Sequence, residues 1–249
     1  MIKKINLHLI LISFVLVGNS AWGQTEYGDT STQQIALNHI KDVYNTAIGE
    51  QSRLYNGPEY DVYNPVIKGN ANFLDKDDFV SGSVIYDGIF YKDVPIIYDI
   101  NRNLVVARLY NKFSKYILLS ERLQSFDILN HHFIHVRVDS LNTNAGINDG
   151  FYDQVYKSGL EVLAKRSKSI LSTSGTITLE TYFSATSHSF YLKKDNNYYG
   201  IGSQNALLNI LKDKKKELLQ YIKANKIKFK KTPEDAIVAI ATRYDELSK

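Results

Sequence analysis

From Phe79 to Ile201 the chain repeats one short unit: a run rich in Val, Ile, Tyr and Phe, closed by Asp, Asn or Gly. Runs at 80–86, 89–98, 104–110 and 115–119 follow one another across Asp87-Gly88, the segment 99–103 and the segment 111–114. Such composition suits a pleated, half-buried surface. Connections this short cannot hold the crossover that joins parallel strands, so the runs must pair antiparallel, as a meander. The pattern continues at 132–138, 150–156, 160–164, 176–183, 189–193 and 198–201, the last two joined across Asn196-Asn197. Pro95 inside the second run has no N–H to give, which predicts an edge strand or a bend there.

Helical spacing appears only at the two ends. Ile35, Ala36, Ile40, Val43, Tyr44, Ala47 and Ile48 recur with the period of an amphipathic helix, placed within 24–53. Tyr55, Tyr60 and Tyr63 lie beyond it, in a stretch punctuated by Gly57-Pro58 and Asn64-Pro65 that reads as irregular chain. Helices are expected at 204–211 and 214–224, with a break near Asp213. Thr232-Pro233-Glu234-Asp235 then supplies a cap, a first-turn proline and two acids for the positive end of a last helix. Leu207, Leu208, Leu211, Leu218, Leu219 and Ile222 form the apolar face that should pack on the sheet or cover one of its edges. The expected fold is mainly β with α: an antiparallel β-meander sandwich or partly closed barrel over 54–202, preceded by one helix and followed by a Lys-rich helical tail, 203–249, packed on it.

The first 23 residues read as an address rather than as structure. Lys3 and Lys4 precede an apolar stretch from Ile5 to Val17, and Ala21-Trp22-Gly23 offers small residues for cleavage before Gln24. A signal peptide over 1–23 places the working protein in the periplasm or outside the cell. Its removal from 249 residues leaves 226, and removes Met1 and Trp22, the single Met and single Trp. The chain has no Cys, so neither a disulfide nor an acylated lipoprotein anchor is available to it. Without Lys3 and Lys4, 28 basic residues face 26 acids, a net of +2 too small to steer the whole protein to nucleic acid. No later stretch is apolar enough to span a membrane as a helix.

Two stretches carry a family likeness: Val84-Ile85-Tyr86-Asp87-Gly88-Ile89-Phe90-Tyr91-Lys92-Asp93-Val94-Pro95-Ile96-Ile97-Tyr98-Asp99, running on to Ser120-Glu121-Arg122, and Gly150-Phe151-Tyr152 with Val162-Leu163-Ala164-Lys165-Arg166. With the tail from Lys214 to Tyr244, they resemble a group of uncharacterised exported β-rich proteins of Bacteroidota. The resemblance implies the compartment and the organisation, and it carries no catalytic residue.

Candidate chemistry is thin. His131, His132 and His135 cluster, and His188 stands apart. On a strand, His131 and His135 share a face but stand about 13 Å apart, too far for one ion. His131, His135 and His188 are the metal candidates, and the expectation is no metal and no cofactor. Asp75, Asp77 and Asp78 offer oxygen to calcium but miss the spacing of an EF-hand loop. Thr186-Ser187-His188-Ser189 sets serines beside a histidine, yet no nucleophile motif is present, and the catalytic residues of an exported hydrolase would have to come from dispersed positions. Tyr55, Tyr60 and Tyr63 are the tyrosines placed to stack on a sugar. From Lys212 to Lys231 nine lysines face only Asp213 and Glu217. Lys214, Lys215, Lys216, Lys223, Lys228 and Lys230 make the candidate patch for an anionic envelope component or another envelope protein. Lysines without arginines argue against nucleic acid. The expected function is a non-enzymatic binding or scaffold protein of the cell envelope, with the hydrolase as its alternative.

Overall fold

A computed structural model describes residues 34–37, 39–40, 43, 53–109, 111–138, 146–174 and 179–249. The chain divides into two units, Met1–Ile40 and Lys41–Lys249. The expected signal peptide (1–23) lies outside the described residues, as does most of the expected helix within 24–53; the residues of that helix that are described are helical.

The second unit is built on strands β1 (Val80–Tyr86), β2 (Ile89–Asp99), β3 (Leu104–Arg108), β4 (Lys115–Ile117), β5 (Leu123–Ile128) and β6 (His131–Val136). These are followed by β7 (Gly150–Lys157), β8 (Glu161–Ser167), β9 (Ile170–Ser174), β10 (Leu179–Phe183), β11 (Ser187–Lys194) and β12 (Asn197–Ile201). Ten of them form one antiparallel sheet in the order β12-β11-β8-β7-β6-β5-β1-β2-β3-β4, and β9 and β10 form a separate pair. The order is two meanders sharing β1, which takes β2 on one side and β5 on the other.

The sheet is not closed into a barrel, but it curls. Tyr98 on β2 and Phe151 on β7 are four strands apart, about 19 Å in a flat sheet. Their ring centroids are 6.3 Å apart. Phe73, Phe126 and Phe133 fill the space the curl encloses. A second core lies where β8, β11 and β12 meet the helices α1 (Gln204–Ile210), α2 (Lys215–Ala224) and α3 (Pro233–Leu247), through Val162, Leu192, Leu207, Leu218 and Ile240. The expected apolar face of the tail is buried except for Leu219, which is 45% exposed.

Several local expectations need correction. β5 and β9 are additional to the expected strands: β5 ends on Leu129-Asn130, both at positive φ (52° and 65°), a turn whose first residue carries no turn signal. β2 is an internal strand and not an edge, because β3 pairs only with residues after Pro95; the other expectation, a bend there, fits the register shift of β1 against β2 between Gly82 and Val84 and the positive φ (55°) of Asp93. The turn before β12 is Asp195-Asn196 (φ 50° and 61°), one residue earlier than expected. Thr232 makes no side-chain cap bond to α3, although Pro233 does occupy its first turn. Ser203 caps α1 instead, accepting from the Ala206 N–H.

Candidate functional site

The histidines divide between two places. His135 donates from Nδ1 to the Leu123 carbonyl and sets Nε2 3.1 Å from Asp149. His131 and His188 belong to a charged line running diagonally across β6, β7, β8 and β11. His131 Nδ1 lies 2.8 Å from Asp153 Oδ2, which also accepts from Arg166 Nε at 3.1 Å. Arg166 Nη1 reaches both His188 Nδ1 at 2.8 Å and Glu234 Oε2 on α3 at 2.6 Å. The line is diagonal because Phe133 faces Asp153 and Ala164 faces Asp153 on the other side, so His131 and Arg166 each stand two residues off the rung. Asp153 and Arg166 are 1% and 5% exposed, so each needs the other to be buried.

A cation therefore stands where a metal shared by His131 and His188 would have to be. A guanidinium can only donate, so His188 accepts at Nδ1 and keeps its proton on Nε2. Burial, and then the Arg166 charge, push the His188 imidazole below its ordinary pKa. Ser187 and Ser189 alternate to the other face of β11, away from the ring. Among the described residues, no three His, Asp or Glu side chains are grouped to hold a metal ion.

The other polar candidates are tied into the fold. Asp75 pairs with the buried Lys168 ammonium, Asp77 accepts from Asn70 Nδ2 at 2.7 Å, and Asp78 accepts from Arg108 Nη1 at 3.1 Å. Tyr60 and Tyr63 donate to Asp99 Oδ2 at 3.0 and 2.9 Å, and Arg102 covers the Tyr63 ring at 3.9 Å. Burial first, and then Asp99, push both phenols well above their ordinary range. These two rings clamp the segment after Arg53 to the sheet; their faces are not a free sugar platform.

The lysines behave differently. Among the described residues, none of the nine between Lys212 and Lys231 forms an ion pair with a carboxylate; Asp213 is taken by Lys194 at 3.2 Å. Lys214, Lys215 and Lys216 surround the start of α2, where Lys215 donates to Asn209, and Lys223 lies in its last turn. Lys228, Lys230 and Lys231 line a cleft of about 630 Å³ with Phe229, Gly202 and Ser203. A neighbouring cleft of about 520 Å³ shares Phe229 and Gly202 and continues along Gly200 and Pro233 to His188. Volumes in this range suit a bound ligand.

Two glycines in this cleft are unexplained by the fold. A Cβ built on Gly200 or on Gly202 meets nothing within 4 Å, and neither has a positive φ. The other described glycines each have a reason: Gly82, for instance, lies against Ile96 and the Asp127 carbonyl, and Gly88 takes φ 75° in a turn. Gly200 lies within β12, where a glycine lowers stability by about 0.5–1 kcal/mol relative to Ala and often marks a close approach by something else; Gly202 follows the strand's last residue.

No protein-family model matches the chain, and neither a curated protein nor a solved structure matches it. The sequence pointed to the lysines and to His188. It did not reveal the partners of His188, because Asp153 and Arg166 become its neighbours only through strand register. Gly200 and Gly202 sit at the end of an expected strand, but their empty surroundings exist only in the fold.

Proposed function

We propose that the protein is an exported, non-enzymatic cell-envelope protein that binds an anionic partner in the cleft formed by Lys228, Lys230 and Lys231 beside Gly202 and Phe229. The observation that carries this reading is that these lysines line a ligand-sized cleft while no carboxylate among the described residues pairs with them. An ammonium left without an internal partner keeps its charge available to a ligand, and an apolar ring in the floor adds contact area. His188 does not favour a hydrolytic reading, since its Nδ1 is occupied by Arg166. The stretch from Lys3 to Gly23 supports export, with Gln24 as the first residue of the mature chain.

The test is a binding panel of fluorescent heparin, vesicles containing an anionic lipid, and a short peptide alternating Glu and Val. At least one should bind the protein, more weakly as salt screens the exposed charges. Replacing Lys228, Lys230 and Lys231 together by Gln should lower that affinity at least tenfold. Binding that survives the triple replacement, or no binding by any probe, refutes the reading.

A further inference from the structure

We propose that β9 is the interface through which two copies of this chain pair, edge to edge and antiparallel, about a two-fold axis at Ser172. The inference is independent of the lysine cleft, and the partner it names is a second copy of the chain.

The hydrogen bonds around the β9–β10 hairpin show which way its backbone groups point. The Lys68 N–H donates to the Thr181 carbonyl at 2.9 Å, and the Phe183 N–H donates to the Lys68 carbonyl at 3.0 Å. Thr181 and Phe183 therefore turn their groups away from β9, and Lys68 covers that edge of the hairpin. In an antiparallel ladder, opposite residues either exchange both hydrogen bonds or both turn outward. Ser172 is opposite Thr181, Ile170 opposite Phe183 and Ser174 opposite Leu179. The N–H and C=O groups of Ile170, Ser172 and Ser174 hence point to the free side of β9. The Ser184 N–H, which donates to the Ser169 carbonyl at 2.8 Å, sets the same alternation from the other end. Among the described residues, no backbone group bonds to this outer edge, and β10 is the one strand paired with β9. All five residues of β9 are exposed.

Open edges are ordinarily guarded by a charge, a proline or a bulge. β9 has none of these. From Ser169 to Leu179 the chain carries no charged residue and no proline, and the register against β10 runs without a shift. Ile170 and Leu171 stand 40% and 42% exposed on it. A neutral, proline-free run of this kind is the composition with which identical strands pair, whereas a charged partner would gain no ion pair from it.

A two-fold axis makes the edge complementary to itself. With Ser172 opposite Ser172 of the second copy, the two residues exchange both hydrogen bonds, and Ile170 does the same with Ser174 of the second copy. Leu171 then faces Thr173 of the second copy as a close pair, which takes part of its exposed apolar surface out of water. Two hairpins become one four-stranded sheet with Lys68 on each outer edge.

The experiment is sedimentation of the full mature chain over a concentration series, which should show a monomer–dimer equilibrium. Ser172→Lys and Ser172→Glu should each lower the association constant at least tenfold, because like charges then meet at the axis. An equimolar mixture of the two variants should regain association, which separates a lost interface from a lost fold. The chain has no Cys, so Ser172→Cys introduces its single thiol. The Cα atoms of a hydrogen-bonded antiparallel pair stand about 5.5 Å apart, within disulfide reach. Mild oxidation should therefore give covalent dimers of Ser172→Cys and not of Ser189→Cys, an equally exposed position on β11. A wild type that stays monomeric throughout overturns the inference, as does a dimer that both charged variants retain. Charged variants that remain monomeric when mixed, or cross-linking no faster at Ser172 than at Ser189, overturn the two-fold pairing even where the wild type dimerises.

Discussion

At the scale of single residues, the charged groups of this protein are distinguished by their partners. Lys165 donates to Asn103 Oδ1 at 2.9 Å and to the Phe151 carbonyl at 3.1 Å, with no carboxylate among the described residues in hydrogen-bond reach. Burial lowers its pKa to about 8, against a weaker opposing pull from Asp149. Between pH ~8 and ~10 the unfolded chain, with an ordinary lysine near 10.4, holds more protons than the folded one. Stability should therefore rise with pH across that window. It should fall beyond it, where the tyrosines whose phenols burial pushes upward, Tyr98 among them, would have to ionise. Urea unfolding at a series of pH values should show the rise in the wild type and lose it in Lys165→Met. A variant that keeps the rise would place its origin elsewhere.

At the scale of elements, local sequence signals and actual contacts part company at helix starts. Thr232-Pro233 is the stronger written signal, yet the Thr232 side chain makes no cap bond, whereas Ser203 accepts from Ala206 at 3.1 Å. Ser203→Ala should lower stability by about 1 kcal/mol, and Thr232→Ala by clearly less. Equal losses in urea titrations would contradict the assignment. The strands show the same division. β1 begins and ends at the residues its composition marks, because Asp87-Gly88 is a turn signal that acts locally. β5 carries no such local signal, because its turn begins with Leu129 at φ 52°, a conformation imposed by pairing β5 with β6 rather than by leucine itself.

At the scale of the whole molecule, the curl of the sheet decides what becomes a core and what remains an edge. Phe151 is fully buried because it packs against Tyr98 and Phe126 across strands that are distant in sheet order. Phe151→Ala should cost about 3–5 kcal/mol, the range for a large aromatic removed from a packed interior. A loss below about 1 kcal/mol would mean that the curl is held by other contacts.

What the sequence determined by itself is what depends on near neighbours: antiparallel pairing from short connections, two helices expected at 204–211 and 214–224 and found within a residue of those bounds, Pro233 in the first turn of α3, and the excess of lysine that follows β12. What the tertiary structure decided depends on register and on empty space. It set Arg166 between His131 and His188, closed Tyr60 and Tyr63 onto Asp99, and, among the described residues, left Lys228, Lys230 and Lys231 without a carboxylate partner near two glycines whose Cβ positions are open. The physical reason is one of range. Backbone preference and alternation act over a few residues, whereas the partner of a buried charge and the openness of a sheet edge are set by chain segments far apart in sequence.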